Sequence, residues 1–274
     1  MAGEQYPQSP EKSLEFKNQG NRSFQSGDYS AAEDLYTKAI QHDTSNPLLY
    51  TNRSLASLKL AHYPLVISDC QTCIALNPPV TTLLKAYYQL AQALQNTSQP
   101  TEALKAALKA HELCLDEICT GGKAANNIGP ITELVLRCKK ESWELKERER
   151  EAREGGLLQD CIRGLEASGL EPGVLASKIE DLRKTFEDAG HKDARRREVP
   201  DWCIDDISFA VMVDPVVTKT GQSYARASIM EHLKRSSTDP LTREPLKLED
   251  LRPNLALKNA CAEFLDENGW AVDW

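Results

Sequence analysis

The run Gly27 to Ile40, GDYSAAEDLYTKAI, returns as Ala61 to Ile74, AHYPLVISDCQTCI, with every matched position 34 residues further on. Tyr29 matches Tyr63, Ala32 matches Val66, Tyr36 matches Cys70, Ala39 matches Cys73 and Ile40 matches Ile74. A third copy follows at an offset of 37, where Ala103, Ala107 and Ala110 continue Val66, Cys70 and Cys73. The added residues are expected in a loop near Pro79-Val80-Thr81-Thr82. A period of this length means units that cannot bury their apolar faces alone and must stack. Ala32 and Ala39 lie seven apart, on one face of a helix, so a neighbouring helix can approach closely there. These constraints predict an α-solenoid of antiparallel helix pairs.

The 34-residue register with small residues at fixed places resembles the tetratricopeptide repeat. Gly20 takes the small position of the first helix, where it costs about 1 kcal/mol relative to alanine. Close packing is the expected compensation. Pro47 and Pro78 are expected at helix ends, where a missing N–H is tolerated.

Gly20 sits in KNQGN, residues 17–21. Lys17 and Asn21 are one turn apart and share a face. In tetratricopeptide arrays the first helix of each repeat lines the concave surface. Asn52 takes a matching place in the second repeat and Lys85 in the third. This set resembles the carboxylate clamp of chaperone-binding arrays. The resemblance implies a site for the acidic C-terminal tail of the 70-kDa and 90-kDa heat-shock chaperones. A carboxylate accepts from several directions, so donors on three helices suit it better than donors on one. The alternative is that these are solvated surface residues. Tyr87 and Tyr88 are candidates for an aromatic wall. Gln89 stands where some clamps carry a further basic residue and is counted with Tyr88 among the tail-binding residues.

Composition narrows the partners. The net charge of −8 and pI near 5.3 argue against nucleic acid. No stretch reaches the ~18 apolar residues of a membrane helix. The polar start MAGEQYPQSPEKS is unlike a secretory signal, so reduced thiols and a cytoplasmic location, with the nucleus also open, are expected. The C-x-x-C at Cys70 and Cys73 reads either as a redox or metal half-site or as two small residues on a helix face. The repeat favours the latter.

Residues 131–154 are strong helix formers with interleaved charges, and Gly155-Gly156 is expected to break them. A second apolar pattern runs from Leu157 to Leu165 and ends before Pro172-Gly173. Helix is expected again over 174–186, with Arg195-Arg196-Arg197 as a solvated helix end. The region reads as a spacer or a dimerisation hairpin.

The last segment reads as strand at Val216-Val217, turn, strand at Ser223-Tyr224, helix over 226–234, proline-rich loop and a helix opened by Pro253-Asn254. This order, with DPV, DPLTREPL and PNLALK, resembles the U-box, a zinc-free relative of the RING domain. Two zinc sites need eight ligands, and residues 199–274 hold only Cys203, Cys261 and His232. Asp, Ser, Thr and Arg side chains, with Asn254, must then fix the loops.

The whole pattern resembles the cochaperone ubiquitin ligases. The expected organisation is mainly α and multidomain: a disordered tail (1–12), three repeats (13–117), a charged hairpin (118–198) and a small α+β U-box (199–274). The resemblance implies transfer by positioning, with no covalent intermediate, no cofactor and no metal. A ubiquitin-conjugating enzyme would dock on Ile207, Phe209, His232, Pro240 and Leu241. Arg243 would bond both conjugating enzyme and ubiquitin, a task suited to its forked guanidinium. Ile207 and Phe209 also fit a core reading, since ISF alternates as a strand does. Misfolded clients and a homodimer are further implied partners. The alternative is a non-catalytic adaptor with a structural C-terminal domain.

Overall fold

The computed structural model describes residues 9–121, 123–193 and 198–274. These divide into two compact units, one within residues 9–139 and 226–248, the other within residues 140–225 and 249–274.

The first unit opens with three helix pairs. They are α1 (Pro10–Gln25) and α2 (Tyr29–His42), α3 (Pro47–Lys59) and α4 (Tyr63–Ala75), and α5 (Val80–Asn96) and α6 (Pro100–Cys119). Helix starts follow local chemistry. Asp28 accepts from Ala31 N at 3.0 Å and Asn46 from Leu48 N at 3.1 Å, while Pro10, Pro47 and Pro100 open helices where no N–H is needed. The array therefore begins at Pro10, inside the tail expected to be disordered. Residues 1–8 and 194–197, the latter including the arginine run, lie outside the described residues.

Each helix packs on the next, and α3 also meets α5. The repeat positions Ala32, Ala39, Val66, Cys70, Cys73, Ala103, Ala107 and Ala110 are all fully buried. Burial pushes the Cys70 thiol up to about 12 and Cys73 to about 11, which suits small apolar residues and not reactive thiols. Across the second repeat the Arg53 fork holds Asp69 at 2.8 and 2.6 Å and reaches Thr37 Oγ1 at 3.0 Å. The offset of 37 arises inside a helix and not in the expected loop. Connections 43–46 and 76–79 are equally long, whereas α5 has 17 residues against 13 in α3.

Helix α7 (Ile128–Glu166) runs unbroken through Gly155-Gly156, which corrects the expected break. Two glycines cost about 1 kcal/mol each but keep every backbone donor. The Arg150 pairs with Glu147 and Glu154 support the turns just before them. The break falls later, and α8 (Pro172–Asp193) begins at a proline. The first unit also holds α9 (Arg226–Leu233), whose Ala227 packs against the cluster of Leu84, Leu113, Ile128 and Ile131.

In the second unit β1 (Pro215–Val217) is the central strand, antiparallel to β2 (Ser223–Ala225) and β3 (Arg252–Pro253). The two-residue β3 was too short for any periodicity to reveal. Helix α10 (Leu255–Glu267) packs on β1, and Val216, Tyr224, Cys203, Cys261 and Leu265 form the buried centre. Asn254 has its expected structural role. Its Oδ1 accepts from Leu257 N and its Nδ2 donates to Ser223 Oγ, both at 3.2 Å.

Candidate functional site

Helices α1, α3 and α5 carry the first candidate site. Gly20 is buried, and a Cβ there would meet the Tyr36 ring at 2.8 Å. The missing side chain thus admits the ring, which offsets the helix cost of the glycine. The hydroxyl of that ring donates to Asn21 Oδ1 at 2.8 Å, and Asn52 Nδ2 donates to the same oxygen at 3.4 Å. With its oxygen engaged twice, Asn21 presents Nδ2, a two-proton donor with no partner among the described residues.

A cavity of about 420 Å³ lies alongside, lined by Asn52, Leu55, Lys85 and Tyr88, with Asn127, Pro130 and Ile131 on the other wall. Lys17 lies one turn before Asn21 on α1. Neither Lys17 nor Lys85 makes an ion pair among the described residues. Lys85 and Asn52 line this cavity, whereas Lys17 does not. Residues 127–131 were missed from sequence, because a solenoid's capping helix carries no repeat signal.

Two expected members have other tasks. Gln89 is buried, accepts from Ser54 Oγ at 2.5 Å and donates to Thr51 O at 3.2 Å. It ties α5 to α3 from the wall of the cavity. Tyr87 lines a separate cavity with Ile67, Leu90 and Lys105, so Tyr88 alone supplies the aromatic wall.

Two loops, one in each unit, share one design. In the first, Asp205 N donates to Ala210 O at 2.9 Å and Phe209 N to Asp205 O at 2.8 Å, inside an Ile204–Val211 bridge. In the second, Asp239 N donates to Glu244 O at 2.8 Å and Arg243 N to Asp239 O at 2.9 Å, inside a Thr238–Pro245 bridge. Each loop turns on a buried aspartate. Asp205 accepts from Ser208 N at 2.9 Å, Ser208 Oγ at 2.6 Å and Ala225 N at 2.8 Å. Asp239 accepts from Leu241 N at 2.9 Å and Thr242 N at 3.0 Å. Side-chain oxygens thus gather loop N–H groups by local hydrogen bonding. The residue types were foreseen, but not these two positions.

Phe209 and Arg243 hold the same place in the two loops, with φ of +58° and +62°. A non-glycine residue in this region costs about 1–2 kcal/mol, and such strain gathers at functional sites. Phe209 is 70% exposed, which rules out the core reading. Leu241 and Arg243 are also exposed, while Ile207 and Pro240 are half-buried. His232 differs from its expected role as a contact for the conjugating enzyme. Its Nε2 lies 2.8 Å from Thr238 O, so the ring braces the second loop.

A family model described as the U-box domain matches residues 199–270. The chain is 32% identical over 272 residues to the E3 ubiquitin-protein ligase CHIP of Arabidopsis thaliana, covering 93% of this chain and 94% of that protein. The chain belongs to the CHIP family. Like other CHIP-family proteins it is a chaperone-associated E3 ubiquitin ligase, which sets aside the adaptor reading. Such an enzyme works with a conjugating enzyme and ubiquitin. A stretch of this CHIP-family chain is also 39% identical over 84 residues to the E4 ubiquitin-protein ligase UFD2 of Saccharomyces cerevisiae, covering 30% of this chain and 8% of that one. Among solved structures, the first TPR of Spaghetti (RPAP3), bound to the HSP90 peptide SRMEEVD, is 32% identical. It covers 45% of this chain and 93% of its own length, with a TM-score of 0.38.

Proposed function

We propose that the helix pairs hold the acidic C-terminal tail of a heat-shock chaperone while the two loops hold the conjugating enzyme. Lys17 and Lys85 supply charge, Asn21 and Asn52 supply amide donors, and Tyr88 flanks an apolar residue of the tail. The observation that carries this reading is Asn21, whose oxygen is occupied by Tyr36 and Asn52 so that its amide protons remain for a carboxylate.

On the ligase side, Ile207, Phe209, Pro240 and Leu241 take the conjugating enzyme. Arg243, whose guanidinium has no ion pair among the described residues, bonds both that enzyme and ubiquitin. Holding the thioester in one conformation lowers the entropic barrier to attack by a client lysine, with no nucleophile from this chain. The exposed Leu157 of α7, Val174 of α8 and Leu170 of the turn between them support self-association through this hairpin.

Calorimetry with the peptide SRMEEVD tests the tail reading. Lys85→Ala weakens binding by at least about tenfold, the value of one charged hydrogen bond, and so does amidation of the peptide C-terminus. Equal affinity for the acid and amide forms contradicts it.

A further inference from the structure

The segment 199–218, which carries the first loop, holds four aspartates and no lysine, arginine or histidine. The four have different surroundings. Asp205 is buried and accepts three hydrogen bonds, and Asp214 is buried against Lys258 at 3.2 Å. Asp201 and Asp206 are exposed and make no ion pair among the described residues. Lys219, the first cation after the segment, is held by Asp250 at 2.6 Å. Asp205 and Asp206 are thus neighbours of one residue type, and only the first shapes the loop. Asp206 opens the turn that Phe209 N closes on Asp205 O, next to Ile207. Its carboxylate makes no hydrogen bond among the described residues. An anion that the loop does not use therefore stands beside the exposed Phe209 ring.

We infer that Asp206 selects among conjugating enzymes, favouring one that presents a lysine or arginine to the first loop. The inference rests on the docking of that enzyme at Ile207 and Phe209 and deepens it. Apolar contacts with a phenyl ring are much alike for any apolar partner. A charge at the rim discriminates, because a cation opposite it is attracted and an anion is repelled. The second loop carries the other sign at its exposed tip, where Arg243 has no ion pair among the described residues. The two loops therefore require different chemistry of the enzyme, a cation at the first and acceptor oxygens at the second. The Asp206 carboxylate is in solvent, so it acts on encounter and binding and not on the transfer step. Its effect belongs in KM, with kcat little changed, and weakens with salt. The Debye length falls from ~30 Å at ~0.01 M to ~8 Å at ~0.15 M salt.

A charge swap tests this on the full-length protein. Initial rates of ubiquitin transfer are measured at low salt against the concentration of the most active member of a panel of ubiquitin-charged conjugating enzymes. Wild type, Asp206→Asn, Asp206→Lys and Phe209→Ala are compared. Each lysine and arginine on the docking face of that enzyme is also changed in turn to glutamate. Asp206→Lys is expected to raise KM about fivefold and Asp206→Asn about twofold, as one exposed ion pair allows, with kcat within about twofold and melting temperature unchanged. One glutamate variant of the enzyme is expected to lose as much with wild type and to recover with Asp206→Lys. Equal KM for wild type and Asp206→Lys, a loss confined to kcat, or the absence of any variant that recovers overturns the inference while a high KM for Phe209→Ala still supports docking. If Phe209→Ala keeps the wild-type KM, or no conjugating enzyme supports transfer by wild type, the docking reading falls and takes the inference with it.

Discussion

The side chain of Trp143 fills the space that a side chain at Gly269 would need. A Cβ at position 269 would fall well inside contact distance of the indole's own Cβ and Cγ. The indole Nε1 then donates to Glu267 O at 2.9 Å, and Lys140 pairs with Asp273 one turn earlier on α7. Trp202, Phe264 and Trp270 continue the aromatic packing edge to face, at 6.2 and 6.4 Å between ring centres. The C-terminal end of the chain is therefore seated on α7 by shape as well as by charge.

Gly269→Ala forces the indole or the backbone to move. The expected loss is about 1–3 kcal/mol, as for overpacking elsewhere. Trp143→Phe keeps the ring but loses the hydrogen bond and should cost about 1 kcal/mol. Denaturant unfolding of both variants checks this. A Gly269→Ala protein as stable as wild type would mean that the two residues do not meet.

Tyr36→Phe separates positioning from packing. The ring still fills the space above Gly20, but Asn21 Oδ1 loses its closest donor. Peptide affinity should fall roughly fivefold, equivalent to about 1 kcal/mol, with little change in melting temperature. Equal losses in affinity and stability would make Tyr36 structural only.

Asp239→Ala leaves the Leu241 and Thr242 N–H groups without their acceptor. We expect roughly 2 kcal/mol of lost stability and a large loss of ubiquitin transfer, with peptide binding intact. Asp239→Asn keeps an acceptor oxygen and should recover much of the activity. No recovery would show that the charge, and not the loop geometry, is what transfer needs.

Alkylation at pH 8 should distinguish the cysteines. Burial raises the thiols of Cys70 and Cys261 to about 12, and those of Cys73 and Cys114 to about 11. All four stay protonated and unreactive in the folded protein, while the exposed Cys119 labels first. Fast labelling of Cys70 in native protein would contradict the packing of the repeat.

The stacking of helix pairs was legible because close approach demands small residues at fixed spacing, and Ala32, Ala39, Cys73 and Ala110 supply them. The clamp is a different case, since Asn21, Asn52 and Lys85 do not keep that 34-residue register, and their grouping rests on the family resemblance. Where polar atoms end up was not legible. Gln89 and His232 have the right residue type and position, yet Gln89 bonds α3 through both amide atoms and His232 turns Nε2 to the second loop. Sequence spacing says which residues share a face, and only the fold says which donors and acceptors remain. The unbroken α7 shows the limit of punctuation rules. Glycine weakens a helix without removing a hydrogen bond, so surrounding turns can carry it.

The central claim is that one end of the chain selects a chaperone-bound client and the other transfers ubiquitin to it. A reconstituted reaction tests it, containing activating enzyme, a panel of conjugating enzymes, ubiquitin, ATP and an unfolded client held by a chaperone with an intact acidic tail. Wild type, Lys85→Ala and Arg243→Ala are compared for modification of the client and of the ligase itself. Wild type is expected to modify both, Lys85→Ala to modify itself but not the client, and Arg243→Ala to modify neither at more than about a tenth of the wild-type rate. Client modification by Lys85→Ala at the wild-type rate, or full activity of Arg243→Ala, would contradict the account.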